Sequence, residues 1–67
     1  MITVEVNQKK HQVSENSTLQ DLIMNLNIQT NGIAIAINNH VVKKTDWDSK
    51  GLQNSDDILI IKSTQGG

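Results

Sequence analysis

One amphipathic helical segment, with alternating apolar and polar stretches on both sides of it, constrains the fold more than any other feature of the sequence. Its apolar residues recur with the spacing i, i+3, i+4, i+7 that forms one face of an α-helix: Leu19, Leu22, Ile23 and Leu26. At its start, Ser17 and Gln20 predict a capping box, in which their side chains satisfy backbone N–H groups that lack helical partners. Asn27 to Gly32 predicts the end of the helix and a loop.

The residues before this helix predict a β-hairpin. Residues 2–6 alternate as Ile, Thr, Val, Glu and Val, so that every second side chain lies on one face of a strand. Residues 7–10 are polar and suit the connection between two strands. Residues 11–13 then supply a short returning strand.

The residues after the helix predict three more strands, at 33–37, 40–43 and 58–61. We expect Asn38 and Asn39 to form a tight turn between the first two, because asparagine tolerates the left-handed backbone conformation. Residues 45–48 predict a single helical turn that lets Trp47 cover an edge of the core.

The order of these elements predicts the fold class. Two strands, a helix, two strands, a short turn and a last strand make an α+β protein of two layers. This order is that of a ubiquitin-like β-grasp, in which a mixed sheet of four or five strands carries one main helix on one face. We expect the last strand to lie beside the first and parallel to it.

Size and composition exclude several classes of protein. With 67 residues, the chain has room for one small domain. It contains no cysteine and only two histidines, His11 and His40, so neither a disulfide nor a metal site is predicted. A net charge of −1, no arginine and one aromatic residue disfavour nucleic-acid binding. No apolar run approaches the ~20 residues that span a bilayer, and we expect a cytoplasmic protein.

The last residues of the sequence carry the strongest functional signal. The β-rich stretch 57–62 leads into a short polar segment that ends in Gly66 and Gly67. Glycine has no Cβ and lets backbone approach other groups closely, so a carboxylate on this segment could enter a narrow active site of another protein. We therefore interpret the terminal carboxylate as the functional group. It would lie on a flexible tail at 63–67 that follows a β-grasp domain at 1–62.

Several segments together carry a resemblance to a known family: the small-apolar strand that ends in Asn38, Val41 and Val42 with the lysines after them, Trp47, the segment from Leu52 to Ile60, and the terminal glycines. This combination resembles the ThiS family of ubiquitin-like sulfur-carrier proteins of thiamine (thiazole) biosynthesis. The sequence departs from the pattern of this family at two places, which shape a hairpin and a loop and do not touch the terminal carboxylate. Lys43 stands where proline is usual, and Asn54-Ser55 replaces an Asp-Gly pair.

The resemblance implies a chemistry centred on Gly67. An E1-like (ThiF-like) adenylyltransferase, which holds ATP and Mg²⁺, would activate the Gly67 carboxylate. A persulfide sulfur donor would then displace AMP and leave a thiocarboxylate. A ThiG-like thiazole synthase would use that sulfur in thiamine biosynthesis. The chain would be a protein co-substrate with no catalytic residue and no bound cofactor. Gly66, which has no side chain, would let the segment before the carboxylate enter a narrow active site.

An open face of the sheet is the expected docking surface for these partners. In the strand at 33–37 the isoleucines share one face and the alanines the other, and the set that the helix does not cover should be exposed. The sequence leaves open which set that is. The candidate interface residues are Ile35, Ile37, Trp47, Ile58 and Ile60.

Three alternatives also fit the sequence: a molybdopterin-type sulfur carrier, a ubiquitin-like modifier that forms an isopeptide bond with a target lysine, and an interaction module whose glycines are incidental. An enzyme is disfavoured, because no nucleophile–base pair, metal cluster or phosphate loop is recognisable. Asp56 and Asp57 are expected to form a solvated turn rather than an acid pair, since adjacent strand residues point to opposite faces.

Overall fold

A computed structural model describes residues 1–62, which form a five-stranded sheet and one α-helix. The elements follow one another as β1 (Ile2–Val6), β2 (Lys9–Val13), α1 (Leu19–Asn25), β3 (Ile33–Ile37), β4 (His40–Val42), a 3₁₀ turn (Lys44–Asp46) and β5 (Asp57–Lys62). This is the α+β class and the β-grasp arrangement that the sequence predicts, with five strands in the sheet. The predicted tail at 63–67 lies outside the described residues.

The sheet is mixed, with the strand order β2-β1-β5-β3-β4. The last strand, β5, therefore occupies the centre of the sheet. It runs parallel to β1, with Val6 opposite Ile58, and antiparallel to β3, with Ile35 opposite Ile60. The predicted parallel pairing of the first and last strands is confirmed. The strand β5, which leads toward the C-terminus, is therefore paired with a neighbouring strand on each side.

Both hairpins close through two-residue turns with positive φ at each central residue. Asn7 and Gln8 have φ values of 50° and 71°, and Asn38 and Asn39 have 51° and 71°. Such turns match the right-handed twist of the flanking strands. Asparagine is one of the few residues other than glycine that adopts this conformation readily, and it supplies three of the four central positions, the fourth being Gln8.

The helix begins one residue later than the sequence suggests. Its N-cap is Thr18, whose hydroxyl accepts a hydrogen bond of 3.2 Å from the backbone N–H of Asp21. The carboxylate of Asp21 in turn accepts from the backbone N–H of Thr18 at 3.0 Å. The predicted box of Ser17 and Gln20 is therefore wrong in register. The structure uses a threonine and an aspartate, and the negative charge also lies favourably in the first helical turn.

The core lies between the helix and one face of the sheet and is almost entirely aliphatic. Its buried members are Val4, Val6, Val13, Leu19, Leu22, Ile23, Ile35, Ile37, Trp47, Leu52, Ile58 and Ile60. Trp47 is the one aromatic residue among them and is 1 % exposed. Its indole N–H donates to the carbonyl of Val42 at 3.1 Å, so the ring closes the core without leaving its polar atom unpaired.

The helix α1 has seven residues, and no helix within residues 1–62 could span a bilayer.

Candidate functional site

The two glycines that carry the predicted chemistry, Gly66 and Gly67, lie outside the described residues. The structure describes the part of the molecule from which they continue, namely β5 and the sheet around it. The candidate site therefore has two described components. One is the exposed face of the sheet, and the other is the C-terminal half of β5.

The exposed face of the sheet carries an apolar surface on its β5, β3 and β4 side. Ala34 lies opposite Ile61 in the β3–β5 pair, and Ala36 lies opposite both Leu59 on β5 and Val41 on β4. Val41, Ile61 and Leu59 are 76 %, 52 % and 48 % exposed. We call these five residues, Ala34, Ala36, Val41, Leu59 and Ile61, the apolar face. Large apolar side chains grouped in this way are typical of surfaces that bind another protein.

The other half of the same face is polar. On β1 and β2 the residues that alternate with the buried Val4, Val6 and Val13 are Thr3, Glu5, Lys10 and Gln12. Glu5 and Lys10 are direct cross-strand partners of opposite charge. The sheet thus presents an apolar half and a polar half side by side. A partner protein could bury apolar surface against the first half, and the charges of the second could fix its orientation.

The candidate interface residues expected from the sequence lie in the core instead. All five are buried: Ile35, Ile37, Trp47, Ile58 and Ile60. As a docking surface this set is wrong, because the helix covers the isoleucine face of β3. The alanines of β3 face outward, together with alternate residues of β5. The small side chains of Ala34 and Ala36 leave the larger Leu59 and Ile61 prominent on this surface.

Asp56, which precedes β5, also differs from expectation. It is 7 % exposed, and each of its carboxylate oxygens accepts a hydrogen bond, one from the backbone N–H of Gln53 at 2.8 Å and one from the side chain of Asn38 at 3.1 Å. Its predicted solvated position is therefore wrong, although the neighbouring Asp57 is exposed. Asp56 organises the turn that starts β5. Among residues 1–62 no group of three or more histidine, cysteine, aspartate or glutamate side chains is placed to hold a metal ion.

The C-terminal half of β5 has a contact that sequence reasoning missed. The side-chain oxygen of Asn7 accepts a hydrogen bond of 2.8 Å from the backbone N–H of Ile60, 53 residues later. The only sequence signal was an asparagine directly after the last apolar residue of β1. That position is equally compatible with a plain turn residue, so the long-range contact could not be inferred.

Comparison with known proteins gave a family and a solved structure. The sequence model of the ThiS family matches residues 2–67. The crystal structure of a thiamine biosynthesis protein (ThiS) from Geobacter metallireducens superposes with a TM-score of 0.85 at 20 % identity, covering 98 % of this chain and 100 % of that one. At this identity the likeness establishes a shared fold. No curated protein sequence matches the chain.

Proposed function

The chain belongs to the ThiS family, and from this premise we propose that it is a sulfur carrier protein of thiamine biosynthesis that acts through the carboxylate of Gly67. The observation that carries the proposal is the range of residues that the family model matches. It extends over residues 2–67 and so includes Gly66 and Gly67 as well as the β-grasp domain. The similar fold of a protein described as a thiamine biosynthesis protein supports the same pathway.

The proposed chemistry begins with activation, since a carboxylate is a poor electrophile. An oxygen of the Gly67 carboxylate attacks the α-phosphate of ATP, the bond to the β-phosphate breaks, and pyrophosphate leaves. The product is an acyl-adenylate on Gly67. Charge on the phosphates must be balanced by Mg²⁺ and cationic groups of an E1-like adenylyltransferase, as in other phosphoryl transfers.

Sulfur then replaces the adenylate. The terminal sulfur of a persulfide attacks the Gly67 carbonyl carbon and AMP leaves, which gives an acyl disulfide. A thiol attacks the outer sulfur of this disulfide and forms a new disulfide with it. The electron pair of the broken bond remains on the sulfur attached to Gly67 as a thiocarboxylate. This soft nucleophile is the form in which a thiazole synthase would receive the sulfur.

The described structure suggests how the activating enzyme holds its substrate. The apolar face includes Leu59 and Ile61, on the same strand that leads to residues 63–67. We assign this face to the adenylyltransferase, because docking there would place Lys62, the last residue of β5, at the edge of the contact. Val41, Ile61 and Leu59 are 76 %, 52 % and 48 % exposed, and burying these exposed parts would favour association by a few kcal/mol before the entropy cost of binding.

A test of the proposal is ATP–pyrophosphate exchange with a ThiS-activating adenylyltransferase, in which labelled pyrophosphate enters ATP only when the acyl-adenylate forms. We expect the full chain to support exchange and a variant that ends at Gln65 to support none. Circular dichroism of the two proteins should coincide, since residues 1–62 are common to both. Exchange at the full rate with the shortened chain would overturn the proposal.

A second measurement separates the carrier from a protein modifier that would use the same adenylate. Cell lysate supplied with ATP and the labelled chain should contain no covalent conjugates of higher mass. Conjugates that resist reducing agents would point to isopeptide bonds and contradict a role as a sulfur carrier alone.

A further inference from the structure

The geometry points to Asn7 as a positioning residue for the adenylation of Gly67: its side chain acts as the last strand partner of β5 on the β1 side and fixes the base from which residues 63–67 continue. This inference rests on the proposed function, because it concerns how the substrate carboxylate is presented. It adds a role for a residue in a turn at the opposite end of the sequence.

Asn7 stands where the parallel ladder of β1 and β5 would otherwise end. Its backbone N–H donates to the carbonyl of Ile58 at 2.9 Å, as a regular strand residue would. In a regular parallel ladder its own carbonyl would accept the next β5 N–H, that of Ile60. The positive φ of 50° turns the main chain away, and the side-chain oxygen accepts that bond instead, at 2.8 Å.

The side-chain amide also binds the second polar group of the same residue. Its Nδ2 donates to the carbonyl of Ile60 at 3.4 Å, a longer and weaker contact. One asparagine side chain thus satisfies both backbone groups that Ile60 directs toward β1. Beyond Ile60, the pairing described for β5 is with β3, where Lys62 lies opposite Ile33.

This contact matters because few residues separate β5 from the proposed site of adenylation. Gly67 is the fifth residue after Lys62, and five fully extended residues span at most about 17 Å. While the apolar face holds the domain on its partner, the position of Lys62 therefore decides whether Gly67 reaches the α-phosphate. Loss of the Asn7 bonds would leave the end of β5 held from β3 alone, and the carboxylate would meet ATP in the correct geometry less often.

The structure offers a matched control in Asn38, which makes the same kind of contact at the other end of β5. Its backbone N–H donates to the carbonyl of Asp57 at 2.8 Å, and its side-chain oxygen accepts from the N–H of Asp57 at 3.0 Å. Its φ of 51° matches that of Asn7. Glycine at either position keeps the turn and removes the side-chain bonds. Asn38→Gly also removes the bond to the carboxylate of Asp56, but it acts at the start of β5, at the opposite end of the strand from Lys62.

The experiment compares the steady-state adenylation of the full chain and of its variants by the adenylyltransferase, with the chain as the varied substrate. For Asn7→Gly we expect kcat to fall about tenfold, the scale of a modest misplacement of a reacting group. KM should be unchanged, because β5 remains paired with β3 and the apolar face, which binds the adenylyltransferase, keeps its shape. Asn7→Asp keeps an acceptor for the Ile60 N–H and should restore most of kcat. Asn38→Gly should leave kcat unaltered at a temperature where all variants are folded.

Amide hydrogen exchange provides the structural readout that does not depend on activity. In Asn7→Gly the Ile60 amide should exchange faster while the Asp57 amide does not, and Asn38→Gly should show the reverse. If Asn7→Gly does not fold, Asn7→Ser replaces it, since the serine side chain ends one bond short of the asparagine Oδ1 that accepts from Ile60. It should show the same fall in kcat and the same faster exchange of the Ile60 amide, and an unchanged kcat with faster exchange would overturn the inference. Equal losses of kcat in the two glycine variants, or none in Asn7→Gly, would overturn the inference. A wild-type chain that is not adenylated would overturn the proposed function itself.

Discussion

The side chain of Asn38 donates a hydrogen bond of 3.1 Å to the buried carboxylate of Asp56, 18 residues later. This bond connects the turn between β3 and β4 to the turn that begins β5. The second carboxylate oxygen accepts from the backbone N–H of Gln53 at 2.8 Å. A carboxylate that is 7 % exposed is tolerated here because both of its oxygens are bonded.

Replacing Asp56 should therefore destabilise the fold without touching the proposed chemistry. Asp56→Ala leaves the Gln53 N–H and the Asn38 amide without their acceptor, and we expect a loss of about 2–3 kcal/mol in the free energy of unfolding. Asp57→Ala removes the neighbouring exposed carboxylate and should change stability by less than about 0.5 kcal/mol. Urea unfolding followed by circular dichroism gives both values. Equal losses in the two variants would contradict the structural role of Asp56.

The register of the helix cap can be tested with two adjacent residues. Thr18→Ala removes the hydroxyl that accepts from Asp21 and should cost about 1 kcal/mol. Ser17→Ala should cost almost nothing, because the serine precedes the cap. The difference in thermal midpoint between the two variants measures the effect. A larger loss in Ser17→Ala would favour the capping box expected from the sequence over the observed one.

Trp47 should be indispensable for folding rather than for binding. It is fully enclosed, and truncation to alanine would cost about 3–5 kcal/mol, which is comparable to the whole stability of a domain this small. We expect Trp47→Ala to lose its cooperative transition. Trp47→Phe, which removes the indole donor to Val42 but keeps most of the volume, should remain folded with a lower midpoint. A folded Trp47→Ala with a selective defect in partner binding would contradict this assignment.

The apolar face should govern affinity for the adenylyltransferase. Leu59→Ser and Ile61→Ser are each expected to raise KM by about tenfold, equivalent to about 1.4 kcal/mol of binding energy, with little change in kcat. Met24→Ser is the control, since this residue is 65 % exposed but lies on the helix, away from the sheet face. A KM that responds to Met24 and not to Leu59 would move the docking surface to the helix.

The sequence was sufficient for the fold because periodicity reports which residues are buried. The stripe around Leu22 and the alternation in residues 2–6 depend on local geometry alone, and both elements form where expected. The cap register depended on a choice between Ser17 and Thr18. Both hydroxyls suit an N-cap, and only the backbone path decides between them.

The candidate site was less predictable because it depends on which face of the sheet the helix covers. Alternation of isoleucine and alanine at 33–37 shows that the two faces differ, but it does not say where the helix lies. Ile35 and Ile37, which were candidates for the interface, are buried in the core because the helix covers their face of the sheet. The long-range contacts of Asn7 and Asp56 join residues that only the folded chain brings together, and no local pattern encodes them.

The most direct test of the central claim is chemical labelling of the thiocarboxylate, followed by mass spectrometry of the intact chain and its C-terminal fragment. The chain contains no cysteine, so a thiol-alkylating reagent such as iodoacetamide has no ordinary thiol target. Alkylation also avoids confusion with methionine oxidation. Exchange of oxygen for sulfur changes the mass by almost the same amount as oxidation of Met1 or Met24, both of which are exposed.

After incubation with the adenylyltransferase, ATP and a persulfide donor, we predict a single alkyl group on the fragment that contains Gly67. The label should be absent when ATP is omitted and absent from a chain that ends at Gln65. An unlabelled chain, with an adenylyltransferase that is active on another ThiS protein, would contradict the account.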